Sequence, residues 1–128
     1  MTDVRVTTTA STGTLLNKRA IQSLESSLCG GLLRRGEDGY EKARRGWNGM
    51  IDKHPALIAH CTSVADIVAS VDFARENELL LAVRGGGHNV AGTAVADGGL
   101  VIDLSPMKGI RVDLSTQTVR AEAGVTIG

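Results

Sequence analysis

Apolar residues fall in short blocks broken by glycine or charge, and the spacing inside the blocks changes along the chain. Residues 1–14 are rich in Thr and Ser and carry no sustained period, so they read as a flexible tail. From Asn17 the spacing becomes helical: Ala20, Ile21, Leu24 and Leu28 share one face, Asn17 is placed to cap, and Gly30-Gly31 end the run. Residues 32–49 show no period; Gly36, Gly39, Gly46 and Gly49 punctuate charged residues, and Tyr40 and Trp47 are expected to pack. Pro55 to His60 is a short apolar strand. The clearest helix follows, opened by Ser63 and Asp66 as a capping box with Asp where Glu is usual. Its apolar face is read as Val64, Ile67, Val68, Val71 and Ala74 with Arg75, while Asp66, Asp72, Glu76 and Glu78 point elsewhere.

Leu79 to Val83 is the next strand, which completes a βαβ unit with parallel strands. Beyond it Asp97-Gly98-Gly99 makes a turn, and short strands are predicted at Leu100 to Leu104, Gly109 to Val112 and Thr118 to Ala121, paired antiparallel. The predicted class is therefore α+β, a βαβ unit followed by short antiparallel strands.

The strongest chemical signal lies where the second strand of that unit runs out, at Arg84-Gly85-Gly86-Gly87-His88-Asn89. Three successive residues without Cβ let main-chain N–H groups converge on an anion, and His88 follows at once with the side chain suited to nucleophilic or proton chemistry near neutral pH. Two common phosphate templates do not fit. Counting G-x-G-x-x-G from Gly85 puts Val90 at the third glycine, and Gly87 with Gly92 has P-loop spacing but Thr93 in place of lysine. A strand–loop–strand cradle of backbone amides remains, with Arg84 close enough to help a diphosphate. On spacing alone, a tight bend that binds nothing explains these residues equally well.

Composition narrows the classes. At 128 residues the chain suits one domain and is short for a complete two-substrate redox enzyme. Fourteen basic and fourteen acidic residues cancel, which argues against nucleic-acid and membrane-surface roles. The basic run through Arg34, Arg35 and residues 42–45 is threaded with Glu37, Asp38 and Glu41 and reads as a solvated face. Cys29 and Cys61 form no disulfide framework and suit a reducing compartment; with no apolar signal segment and no membrane span, the expected location is the cytoplasm. For His54, His60 and Cys61 no metal is assigned, because His54 and His60 are six apart, not on one helical face, and no third ligand sits nearby. Asp97 and Asp103 are read as turn and strand-end residues.

From Tyr40 to Gly124 the chain resembles the FAD-binding domain of the vanillyl-alcohol-oxidase, or p-cresol-methylhydroxylase, type, and within it the berberine-bridge-enzyme-like oxidoreductases. The resemblance rests on Tyr40-Glu-Lys-Ala-Arg-Arg-Gly-Trp47-Asn48, Pro55-Ala-Leu-Ile, Val64-Ala-Asp-Ile67 to Phe73-Ala-Arg75-Glu76, Val83-Arg-Gly-Gly-Gly-His-Asn89, Asp97-Gly-Gly-Leu-Val-Ile-Asp-Leu-Ser105-Pro-Met107 and Ala123-Gly124. It implies an FAD-dependent oxidoreductase acting on a small alcohol, sugar or secondary metabolite. Arg84, Gly85, Gly86, Gly87, His88 and Asn89, with Gly92 more weakly, are implied as cofactor contacts, and His88 as a covalent link to the flavin. Members of the family continue well past the counterpart of Gly128. Residues 15–128 are therefore expected to be the N-terminal part of the FAD-binding domain, with the substrate domain absent, no catalytic acid or base here, and no activity in this chain alone. The alternative is a non-catalytic module that binds a nucleotide or a protein.

Overall fold

The computed structural model describes residues 3–127, and the chain is paired from its first strand. Strands β1 (Val4–Thr7) and β2 (Gly13–Leu16) form an antiparallel hairpin, with Val4 opposite Leu16 and Thr7 opposite Gly13. This corrects the reading of residues 1–14 as a flexible tail; Met1 and Thr2 of that stretch lie outside the described residues. Within β1 and β2 only Val6 and Leu16 are buried, too few to print a period on the sequence. Main-chain bonds to distant loops hold the hairpin: Thr7 N–H donates to Gly98 O at 2.8 Å, and Leu80 N–H to Thr7 O at 2.9 Å.

Helix α1 (Lys18–Ser27) starts as expected, the Asn17 side chain accepting the Ala20 N–H at 2.9 Å, and buries Ile21 and Leu24. Residues 32–49 are less irregular than their pattern suggests, containing β3 (Leu32–Arg34) and a short helix α2 (Tyr40–Arg44). Tyr40 packs as expected: its ring is buried and its hydroxyl donates to Pro55 O at 2.6 Å. Trp47 does not, and stands 66% exposed.

Strand β4 (Leu57–His60), helix α3 (Val64–Glu76) and strand β5 (Leu81–Arg84) make the expected succession of strand, helix and strand. Between β4 and β5, however, lies β6 (Leu100–Asp103), parallel to both, in a four-stranded sheet of order β3-β4-β6-β5. All four residues of β6 are buried, and a strand covered on both faces belongs in the middle of a parallel sheet rather than at an antiparallel edge. The antiparallel expectation holds for the hairpin of β7 (Ile110–Asp113) and β8 (Thr118–Ala121), and the α+β class stands.

Helix α3 corrects one more expectation. Val64, Val68 and Val71 are 68%, 53% and 39% exposed, whereas Asp66, Ser70, Phe73 and Ala74 face inward. The Asp66 carboxylate decides the orientation. It accepts hydrogen bonds from the N–H groups of Cys29, Gly30 and Thr62 at 2.9, 3.1 and 3.0 Å and from the Thr62 hydroxyl at 3.1 Å. A fully buried carboxylate is tolerated when its lone pairs are met this way.

The sheet's two faces then fall into place. Leu57, Ala59, Leu100 and Ile102 pack with Ile21, Leu24 and Phe73, while Ile58, Ala82 and Val101 pack with Tyr40, Val95 and Ala96. Further along that second face, the register aligns His60, Asp103 and Arg84 at the carboxyl ends of β4, β6 and β5. There the glycine run leaves the sheet.

Candidate functional site

The loop after β5 is tied down through some of its carbonyls, while its leading amides are free of protein acceptors among the described residues. Arg84 O accepts from Leu104 N–H at 2.8 Å, and Gly87 O from Trp47 N–H at 2.8 Å. Val90 O accepts from the Asn48 side-chain amide at 2.8 Å, and Gly92 O from the Lys53 ammonium at 2.9 Å. Asn89 closes a local turn, its carbonyl accepting Gly92 N–H at 3.2 Å and its Oδ1 accepting Thr93 N–H at 3.2 Å. By contrast the N–H groups of Gly85, Gly86, Gly87, His88 and Asn89 meet no acceptor among the described residues. Main-chain donors seldom go without a partner, so these amides are open to water or to a ligand's acceptor.

The three glycines of the run have different surroundings. A Cβ on Gly85 would stand 2.7 Å from Ala123 O, which brings the end of the described chain against the loop. On Gly86 it would meet the His88 ring, Cδ2 at 2.8 Å. Gly87 has φ +73° with the Arg84 guanidinium beneath it, so of the three it is Gly87 whose backbone conformation favours glycine. Gly92 also has positive φ, +74°, and a Cβ there would strike the Ile51 side chain at 2.6 Å, so its place is in the packing behind the loop.

The structure brings the expected residues together at one end of the sheet, with two adjustments. The Arg84 side chain turns behind the loop and donates to Ala43 O. The side chain of Asn89 is engaged in its own turn, so toward an acceptor this residue presents its main-chain N–H. Sequence reasoning missed the backing segment 43–53, which supplies Trp47 N–H, the Asn48 side chain and Lys53. No period marks it, and its partners lie some forty positions further along the chain; only Gly46, whose Cβ would lie 3.0 Å from Gly87 O, betrays the close approach. His88 is exposed, and its ring lies 6.4 Å from the Trp47 ring at 36°. An exposed indole beside an exposed imidazole offers a face to a planar ligand.

Charges around the loop are largely committed. Arg44 bridges Glu41 and Asp52 at 2.8 and 2.7 Å, and its guanidinium holds the Asp52 carboxyl below the usual carboxylate range. Asp103, read from the sequence as a strand end, is also the partner of His60, Oδ2 to Nδ1 at 3.1 Å, and accepts Ser105 N–H at 3.0 Å. Burial works to raise its carboxyl, but the His60 and Ser105 bonds prevail and hold it low. Cys61 is buried and its thiol is pushed up by that burial, which makes it a poor nucleophile. Cys29 and Cys61 are both unpaired thiols.

These donors suit a diphosphate: clustered N–H groups, glycines that put no side chain of their own over the row, and a planar surface alongside. Known proteins are similar to this chain in sequence and fold. The family model for the FAD binding domain matches residues 55–128. The FAD-linked oxidoreductase hasG of Aspergillus fumigatus is 38% identical over 93 residues, covering 73% of this chain and 20% of that protein. The (R)-6-hydroxynicotine oxidase of Paenarthrobacter nicotinovorans is 37% identical over 102 residues, covering 80% and 22% respectively. Among solved structures, 6-hydroxy-D-nicotine oxidase from Arthrobacter nicotinovorans superposes with a TM-score of 0.74 at 37% identity, over 77% of this chain and 22% of that one. The Physcomitrella patens BBE-like 1 protein shares the fold, with a TM-score of 0.72 at 24% identity over 78% of this chain and 22% of that chain. The chain thus spans about a fifth of the length of the curated relatives it matches, 20% and 22% for these two.

Proposed function

The chain belongs to the FAD-binding domain family, of the vanillyl-alcohol-oxidase and p-cresol-methylhydroxylase type, and we propose that its glycine loop holds the diphosphate of FAD. The observation that carries this reading is the row of unbonded N–H groups from Gly85 to Asn89, on a loop anchored through the carbonyls of Arg84, Gly87, Val90 and Gly92 to residues 104 and 47–53. Bound there, FAD supplies hydride-accepting redox chemistry. The chain's own part is to bind and orient: the amides take the phosphate oxygens, Gly87 supplies the positive-φ turn over Arg84, and Gly92 lets Ile51 and Lys53 brace the loop from behind. His88 is the residue we assign to the covalent flavin link.

The protein that contains this unit acts as an FAD-dependent oxidoreductase on a small-molecule substrate, with this chain as the N-terminal part of its cofactor domain. The unit takes in the β1–β2 hairpin, because Val6 and Leu16 belong to the same buried cluster as Leu57 and Leu100. Two unpaired thiols support a reducing, cytoplasmic setting. Among the described residues no helix is long and apolar enough to cross a membrane.

Titration of the chain with FAD, riboflavin and ADP tests the reading. Saturable binding of FAD and ADP with weaker binding of riboflavin, which lacks the diphosphate, is expected. Riboflavin binding as tight as FAD would remove the loop from the reading, and equal affinity for ADP and FAD would favour a simple nucleotide module. For the covalent link, protein loaded with FAD and then denatured in acid should keep its yellow colour, and His88→Ala should lose it while binding FAD within a few-fold of the parent. Colour released from the parent protein would end the assignment of His88.

A further inference from the structure

We propose that Arg84 is a positioning residue, which shapes the glycine loop from behind through its guanidinium and makes no contact with the cofactor's phosphates. The inference rests on the loop binding FAD, and it separates Arg84 from the other residues of its run. Arg84 ends β5 on the sheet face that packs with Tyr40, so its side chain leaves toward helix α2 rather than along the row of amides. One terminal nitrogen donates to Ala43 O in the last turn of α2. Nε, Cζ and Nη2 lie 3.1, 3.3 and 3.3 Å from the point where a Gly87 Cβ would stand, so the planar head fills the space beneath that residue. Nε is fully buried and has no acceptor among the described residues, so that side of the head faces protein.

The stretch just past α2 completes the grip. Trp47 N–H reaches Gly87 O at 2.8 Å, and Gly46 permits that approach. Arg44, the last residue of α2, is committed to Glu41 and Asp52 and does not compete for the Gly87 carbonyl. Arg84 therefore fills the place of the missing Gly87 Cβ while Trp47 N–H takes its carbonyl, and Gly87 is buried between them with its own N–H unbonded among the described residues. A guanidinium suits this place because it is flat and carries donors in a fixed fork, whereas an ammonium on a flexible stem has no planar head to fill the space beneath Gly87.

Shape rather than charge is then what the position requires, and Arg84→Lys and Arg84→Met separate the two. In the ligand-free protein, amide hydrogen exchange at Trp47 should speed up roughly tenfold or more in both variants, with exchange in β6 unchanged as the control for folding. FAD affinity should fall roughly tenfold in both, about equally at low and high salt, because no ion pair with phosphate is lost. Wild-type affinity in Arg84→Lys, or a loss that disappears at high salt while Trp47 exchange stays unchanged, would overturn the proposal and make Arg84 a phosphate contact. Should Arg84→Met fail to fold, Arg84→Lys decides alone. Absence of FAD binding by the parent chain would sink the reading of the loop, and the exchange measurement would still decide what Arg84 does.

Discussion

A Gly87→Val chain is expected to fold and to lose FAD affinity by about two orders of magnitude. Valine at φ +73° is strained by its β-branch, at a cost of roughly 1–3 kcal/mol, and its Cβ would press on the Arg84 guanidinium 3.1–3.3 Å away. That head is held beneath the loop by its bond to Ala43 O, so the backbone is expected to turn instead. Turning it breaks the bond from Trp47 N–H to Gly87 O and spoils the convergence of the amides on one anion. Hydrogen bonds to a charged group contribute about 1.5–3 kcal/mol each, and losing one or two of them accounts for the expected drop. Gly86→Ala is the control. The exposed His88 ring is what stands in its way, and that ring can rotate, so a change of less than about fivefold is expected by fluorescence titration. Equal damage at the two positions would refute this account of the loop.

The largest loss of stability is expected from Asp66→Ala. Three main-chain N–H groups, of Cys29, Gly30 and Thr62, point at this carboxylate inside the protein, and alanine leaves all three without it. A loss of about 3–5 kcal/mol follows from buried donors left unmet, which lowers the unfolding midpoint on the order of 10 °C or more. Thermal unfolding followed by circular dichroism measures this. Burial alone would raise the Asp66 carboxyl, but the donors of Cys29, Thr62 and Gly30 hold it below the usual range. The folded protein thus binds that proton less readily than the unfolded chain does. The stabilisation is fully present above the unfolded value of about 4 and is lost as pH falls through the lower folded value. Asp66→Asn should accordingly flatten the acid limb of the stability curve. Val68→Ser, on the exposed face of the same helix, should change stability by no more than about 0.5 kcal/mol; a loss as large as that of Asp66→Ala would show that the helix faces the other way.

Several parts of the molecule were legible from local pattern. The Asn17 and Ser63 caps act as their residue types demand, accepting Ala20 N–H and Asp66 N–H at 2.9 and 3.3 Å. The apolar runs that become β4, β5 and β6 and the alternation in β7 and β8 place those strands closely. The glycine run marks the loop, since three missing side chains in succession at a strand end leave main-chain amides open to a ligand. Other parts were hidden for physical reasons. The β1–β2 hairpin has little apolar content and is held by hydrogen bonds to residues far along the chain. The segment 43–53 has no period because its work is done by single donors, Trp47 N–H, the Asn48 amide and Lys53.

Residue type and local spacing by themselves determined the two longer helices and where they begin, the strands of the βαβ unit and the last hairpin, and which loop lacks side chains. Those properties depend on neighbours within a few positions. Tertiary structure alone decided that β6 enters between β4 and β5, that α3 turns Asp66 inward and its valines outward, and that Arg84 lies behind the loop rather than in front of it. In each case the outcome depends on a partner distant in the chain: a parallel strand edge, the amides of Cys29 and Gly30, the carbonyl of Ala43. Hydrogen-bond partners of that kind leave no mark on the periodicity of the chain.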